Sequence, residues 1–110
     1  MAAWYDQYLP REVLRQAVPE DVTHVYHLYV MRHPQRDAIA AACKKSQVDC
    51  AAYYTRPLQL QPAFAEFGHK VGDFPVTDAA AQQNLAIPMH PNITEAQVQE
   101  VAAAVAAGLA

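Results

Sequence analysis

The stretch Tyr53-Tyr54-Thr55-Arg56-Pro57-Leu58-Gln59 holds the strongest candidates for binding chemistry in this 110-residue chain. Two adjacent tyrosines offer rigid aromatic surface tipped with hydroxyls, and a proline-interrupted backbone suits an irregular, functional loop. Arg56 has the planar fork that meets a phosphate or carboxylate in two parallel hydrogen bonds. Gln59 adds an amide that both donates and accepts. The competing structural reading puts Tyr53 at the end of a strand in the core and leaves Arg56 merely exposed.

Other reactive side chains are scattered. His24 and His27 have the spacing of a metal pair on a helix, but on a strand an offset of three points them to opposite faces. Ordinary packing or hydrogen bonding is the expectation for both. His69 is expected to be solvated, and His90 to fix a turn. Cys43 and Cys50 are too few for a disulfide framework and have no metal-ligand spacing, which leaves them as reduced thiols. No nucleophile–base pair or carboxylate dyad is recognisable, so a small independent enzyme is the weakest reading.

The elements that would carry these residues alternate. Residues 2–9 read as a helix bearing Trp4, Tyr5 and Tyr8, with Trp4 and Tyr8 on one face. Residues 24–32 predict a strand apolar on both faces, hence central in its sheet. Pro34 opens a helix to about Ser46, with Ile39, Ala42 and Cys43 buried and Lys44 and Lys45 matching its C-terminal dipole. A short strand over 48–52 leads into the tyrosine segment. A short helix over 63–67 ends at Gly68, and Asp73 caps another that has Pro75 in its first turn. Residues 85–89 predict a further strand. Thr94 and Gln97 form a capping box for a last helix, stopped by Gly108. The order predicts an α/β fold of two layers, a small sheet with helices on one face.

Composition sets outer limits. The length predicts one domain, residues 1–110. A hydrophobic fraction of 53% supports a core, although much of it is alanine. The net charge of −3 comes with no basic block, which argues against nucleic acid. The longest apolar run, 101–107, is far too short for a bilayer core of ~30 Å. With no secretory leader recognisable, a cytoplasmic location is expected.

Four stretches, taken in order, resemble the DegT/DnrJ/StrS family of sugar aminotransferases. They are His24-Val25-Tyr26-His27-Leu28-Tyr29-Val30, Tyr53 through Phe64, Gly72-Asp73-Phe74-Pro75-Val76, and Leu85-Ala86-Ile87-Pro88-Met89-His90-Pro91 with Thr94-Glu95. The resemblance runs from about Trp4 to the C-terminus and covers the last third or so of a family member. It implies a homodimeric parent enzyme of the type I aminotransferase fold. A large N-terminal domain there holds pyridoxal phosphate as a Schiff base, and the small C-terminal domain closes over the substrate. The implied reaction moves an amino group, usually from glutamate, to a keto-sugar nucleotide, with Tyr53, Tyr54, Arg56 and Gln59 facing that substrate.

Lys44, Lys45 and Lys70 do not match the family's lysine motif, so the resemblance implies no cofactor on this chain alone and a missing large domain as its partner. The chain also departs from the family pattern at Ser46-Gln47, Thr55 and Gln59. A glutamine where the family often has histidine loses proton transfer or charge and keeps only amide hydrogen bonding. The alternative expectation is a free-standing interaction or regulatory module that kept the fold and lost the chemistry. In either case the face of Trp4 and Tyr8 and the alanine-rich end are expected to lack cover and to promote association.

Overall fold

The computed structural model describes residues 1–110. Four α-helices and two strands form its frame: α1 Ala2–Tyr8, β1 Tyr29–Arg32, α2 Arg36–Lys45, α3 Pro75–Gln83, β2 Asn84–Ile87 and α4 Glu95–Ala107. Strands β1 and β2 pair antiparallel, from Tyr29 opposite Ile87 to Arg32 opposite Asn84. Isolated bridges extend this ribbon on both sides, Leu14 to Arg32 and Ala51 to Ala86. The fold is α/β, as the sequence predicts, with β1 lying between β2 and the Leu14 segment.

The predicted strand over 24–32 shrinks to its second half. Tyr26 sits at φ +49, a left-handed conformation that ends any extended run. Its backbone N–H donates to His24 Nδ1 at 2.9 Å, and its ring stacks between His24, at 4.1 Å, and Tyr29, at 5.6 Å. Local hydrogen bonding and aromatic stacking therefore outweigh the strand propensity of this stretch. His24 and His27 consequently lie outside any strand. The expected strand over 48–52 likewise reduces to the single bridge at Ala51.

Nor is β1 apolar on both faces. Tyr29 and Met31 are buried, whereas Val30 and Arg32 are half-buried on the opposite side. The buried side joins Leu85 and Ile87 of β2 to a core filled by Tyr5, Ile39, Cys43, Val98, Val101 and Val105. Helices α1, α2 and α4 thus cover one face of the sheet. Within α1 it is Tyr5 that is fully buried, its ring 4.8 Å from Tyr29, while Trp4 and Tyr8 are partly buried at the core's edge. The Tyr5 hydroxyl donates to the Pro88 carbonyl, and that of Tyr8 to the Glu95 carboxylate.

Helix ends follow local chemistry. Thr94 and Gln97 form the predicted capping box, with Thr94 Oγ1 accepting from Gln97 N and Gln97 Oε1 accepting from Thr94 N. The predicted helix over 63–67 is a 3-10 segment, Pro62–Phe67, closed by Gly68 at φ +68. Asp73 does not cap α3, because its carboxylate instead accepts from the Lys70 backbone N–H at 3.0 Å. Gly108 stays right-handed at φ −75, so it is not a left-handed stop. It is needed for space: a Cβ there would lie 2.4 Å from Ile39 Cα, where α4 ends against α2. The alanine-rich helix is likewise covered, with Ala102 and Ala104 buried.

Candidate functional site

The tyrosine segment is tied to the fold by Asn84, which both ends α3 and begins β2. Tyr53 N donates to Asn84 Oδ1 at 2.8 Å, and Asn84 Nδ2 donates to the Tyr53 carbonyl at 2.8 Å. The same Nδ2 reaches the Ala80 carbonyl at 2.8 Å, so one amide clamps helix, strand and segment together. Tyr54 follows at φ +51 and is 88% exposed, a strained conformation that projects its ring outward. The buried Pro57 and a hydrogen bond from Gln61 Nε2 to the Arg56 carbonyl, 3.0 Å, hold the far end.

The four candidate residues divide between neighbouring hollows. Tyr53 and Tyr54 line a groove of about 600 Å³ with His27, Leu28, Val30 and Arg32, on the sheet face away from the helical core. Arg56 lines a smaller hollow of about 260 Å³ with Thr55, Leu60 and Asp78. Ala81 borders both. Gln59 turns to Asp78, its Nε2 3.5 Å from Oδ1, while Asp78 Oδ2 accepts from Gly72 N at 2.7 Å. Tyr53, Tyr54 and Arg56 are all exposed, so the reading of Tyr53 as a core strand end does not hold.

Sequence reasoning missed Asn84, Arg32 and Asp78. Asn84 falls where a strand-forming pattern begins, and only the backbone groups it meets reveal its role. Arg32 looked like the polar end of a strand. Asp78 was an ordinary helix residue, though its place in the first turn of α3 suits the helix dipole.

Several side chains of the core and its edge have displaced pKa values. Burial pushes the Cys43 thiol up to about 11, with the neighbouring Cys50 adding to the effect. Burial also raises Tyr5 and Tyr29, the latter helped by its hydrogen bond to Asp6 Oδ1 at 2.6 Å. No His, Cys, Asp or Glu side chains gather in threes as a metal site. No helix is long and apolar enough to cross a membrane.

Fold and sequence together fix the class. The DegT/DnrJ/EryC1/StrS aminotransferase family matches over residues 1–106, and this chain belongs to it. The chain is 42% identical, over 71% of its length, to a "Pleiotropic regulatory protein" of Geobacillus stearothermophilus. It is 38% identical, over 73% of its length, to the UDP-2-acetamido-2-deoxy-3-oxo-D-glucuronate aminotransferase of Pseudomonas aeruginosa. The match spans 21% of the length of each of these two relatives. A crystal structure of a family aminotransferase from Brucella abortus superposes with a TM-score of 0.85 at 25% identity, covering 96% of this chain and 28% of that one.

The family is one of pyridoxal-phosphate-dependent aminotransferases. Such a cofactor is bound through a lysine amine, and this chain has three lysines. Lys44 and Lys45 are exposed at the end of α2, and Lys70 is exposed in the loop before α3. None of them lines the groove of Tyr53 and Tyr54.

Proposed function

We propose that this chain is the C-terminal small domain of a pyridoxal-phosphate-dependent sugar-nucleotide aminotransferase. In this reading it supplies one wall of the substrate pocket and none of the bond-making groups. The observation that carries it is a family match over residues 1–106, together with relatives whose matched part is about a fifth of their length. The complementary large domain would hold the cofactor and its lysine, and amino transfer from an amino acid to a keto-sugar nucleotide would take place there. The parent would be a cytoplasmic homodimer, and this domain alone would be inactive.

Tyr53 and Tyr54 offer aromatic surface to a sugar or base, Arg56 borders the adjoining hollow, and Gln59 reaches the Asp78 carboxylate that lines it. All four sit on backbone held by Asn84 and Pro57, which keeps the wall preorganised at little cost on binding. The test is steady-state kinetics of Arg56→Ala and Tyr54→Phe in a full-length enzyme carrying this domain. The expected result is a raised Michaelis constant for the sugar nucleotide with a nearly unchanged turnover number, the mark of lost uniform binding. A collapsed turnover number at an unchanged Michaelis constant would reject the assignment.

A second reading, a regulatory module that kept the fold without the chemistry, is favoured by one observation. The relative in Geobacillus stearothermophilus carries a regulatory name. Amino-transfer activity in the enzyme assembled with this domain would rule it out.

A further inference from the structure

The groove of Tyr53 and Tyr54 contains one permanently charged side chain, Arg32, and no carboxylate. Arg32 is held in place from both sides of its strand. Its backbone exchanges hydrogen bonds with Leu14, N to O and O to N at 2.9 Å each, while β2 pairs along the other edge. Its side chain projects with Val30 to the face away from the core.

That guanidinium is poorly satisfied. One Nη donates to Gln83 Oε1 at 3.2 Å, a neutral partner, and Nε is shielded from solvent yet donates to nothing. The chain's ion pairs are Arg15 with Asp6, Arg36 with Asp37 and His69 with Asp73; Arg32 has none. A partly desolvated cation with idle donors favours an oxyanion that can take two of them at once. Arg56 is placed differently, because its hollow already contains the Asp78 carboxylate, which repels a second anion.

We infer that Arg32 is the anion-binding residue of the tyrosine-lined groove, taking a pair of carboxylate or phosphate oxygens while Tyr53 and Tyr54 cover the ring attached to them. The inference rests on the reading of this groove as part of the substrate pocket, and it places the principal charge contact at Arg32, ahead of Arg56. The shared ligand chemistry is a bidentate oxyanion. It is offered equally by the diphosphate of a sugar nucleotide, the carboxylate of a uronic acid and the carboxylate of an amino donor.

The experiment is an amide and aromatic NMR titration of the intact chain with three probes, UDP-N-acetylglucosamine, glucuronate and glutamate. The wild type is compared with Arg32→Gln, Arg32→Lys and Arg56→Gln, each first shown to keep the wild-type spectrum away from the groove. We expect saturable shifts at His27, Tyr53, Tyr54 and Asn84 with at least one probe. Binding should weaken by about tenfold or more in Arg32→Gln, the scale of losing a charge-assisted contact. It should weaken less in Arg32→Lys and in Arg56→Gln than in Arg32→Gln. Saturable binding of glutamate alone, lost in Arg32→Gln, upholds Arg32 while rejecting the sugar-nucleotide reading. UDP-N-acetylglucosamine binding that survives Arg32→Gln and fails in Arg56→Gln overturns the inference and leaves that reading standing. Absence of saturable shifts with all three probes overturns the inference outright.

Discussion

Asn84 and Tyr53 exchange a reciprocal pair of 2.8 Å hydrogen bonds across 31 positions of sequence, side-chain amide to backbone. This pair, rather than any hydrophobic contact, sets where the exposed tyrosine segment leaves the sheet. Replacing Asn84 with Ala strands the Tyr53 backbone groups and the Ala80 carbonyl, at a cost of about 1–3 kcal/mol. Denaturant unfolding measures the loss, and hydrogen exchange at the Tyr53 amide should accelerate in the same variant. Asn84→Asp keeps the acceptor but removes the donor, so the Tyr53 amide should stay more protected than in Asn84→Ala.

Gly108→Ala should destabilise by roughly 1–3 kcal/mol, because the added methyl meets the α2 backbone at Ile39 and a backbone cannot rotate away. Gly68→Ala provides the contrast. Nothing lies within 4 Å of the new methyl there, and only the left-handed φ is strained, at about 1 kcal/mol. Thermal melts of the two variants should rank them in that order.

The Gly108 case shows what the sequence could and could not reveal. A glycine after an apolar helical run signals a helix end, and the helix does end there. The reason is a contact 69 residues distant in sequence (108 − 39), which no local pattern encodes. Helices α2 and α4 and the capping box at Thr94 were legible because their signals lie within one or two turns. The strand over 24–32 was overcalled because His24 and Tyr26 satisfy each other locally. Tyr53 and Tyr54 were legible as an irregular aromatic pair. The partition of Tyr54 from Arg56, and the entry of Arg32 into the groove, depend on strand register and could not be read from spacing.

Thr94→Ala should cost about 0.5–2 kcal/mol by removing the hydroxyl that accepts from the Gln97 N–H, the side-chain half of the capping box. Circular dichroism melts will register the shift. Thr94→Ser should recover most of it, since the hydroxyl and not the methyl accepts from Gln97.

Alkaline pH should weaken the fold in a defined window. The Cys43 thiol titrates near 9 when unfolded and is pushed up to about 11 by burial. A raised acid contributes stability that is fully present below pH 9 and is lost as the pH climbs toward 11. Above pH 10 the raised hydroxyls of Tyr5 and Tyr29 add to the loss. Melting temperatures taken at pH 8, 9 and 10 should fall progressively, and Cys43→Ala should flatten the fall between pH 9 and 10.

Association should be driven by the stretch around α3. Leu58, Phe67, Val71 and Val76 are each more than 60% exposed, whereas Trp4 and Tyr8, the expected patch, are half-buried. Sedimentation over a wide concentration range should show self-association of the wild type that is reduced in a Phe67→Asp, Val76→Asp double variant. Unchanged association in that variant would move the sticky surface elsewhere.

The anchoring of α1 has a consequence for the order of events during synthesis. Tyr5 and Tyr8 make their hydroxyl contacts with Pro88 and Glu95, 83 and 87 residues downstream. Helix α1 is therefore synthesised well before the segments that hold its hydroxyls. Closing so long a loop is entropically slow, so α1 should lock last, after β2 and α4 have settled. Until those partners are in place its apolar face would stay uncovered and open to chaperones. A circular permutant joining Ala110 to Met1 would make this contact local, and it should fold faster with little change in final stability.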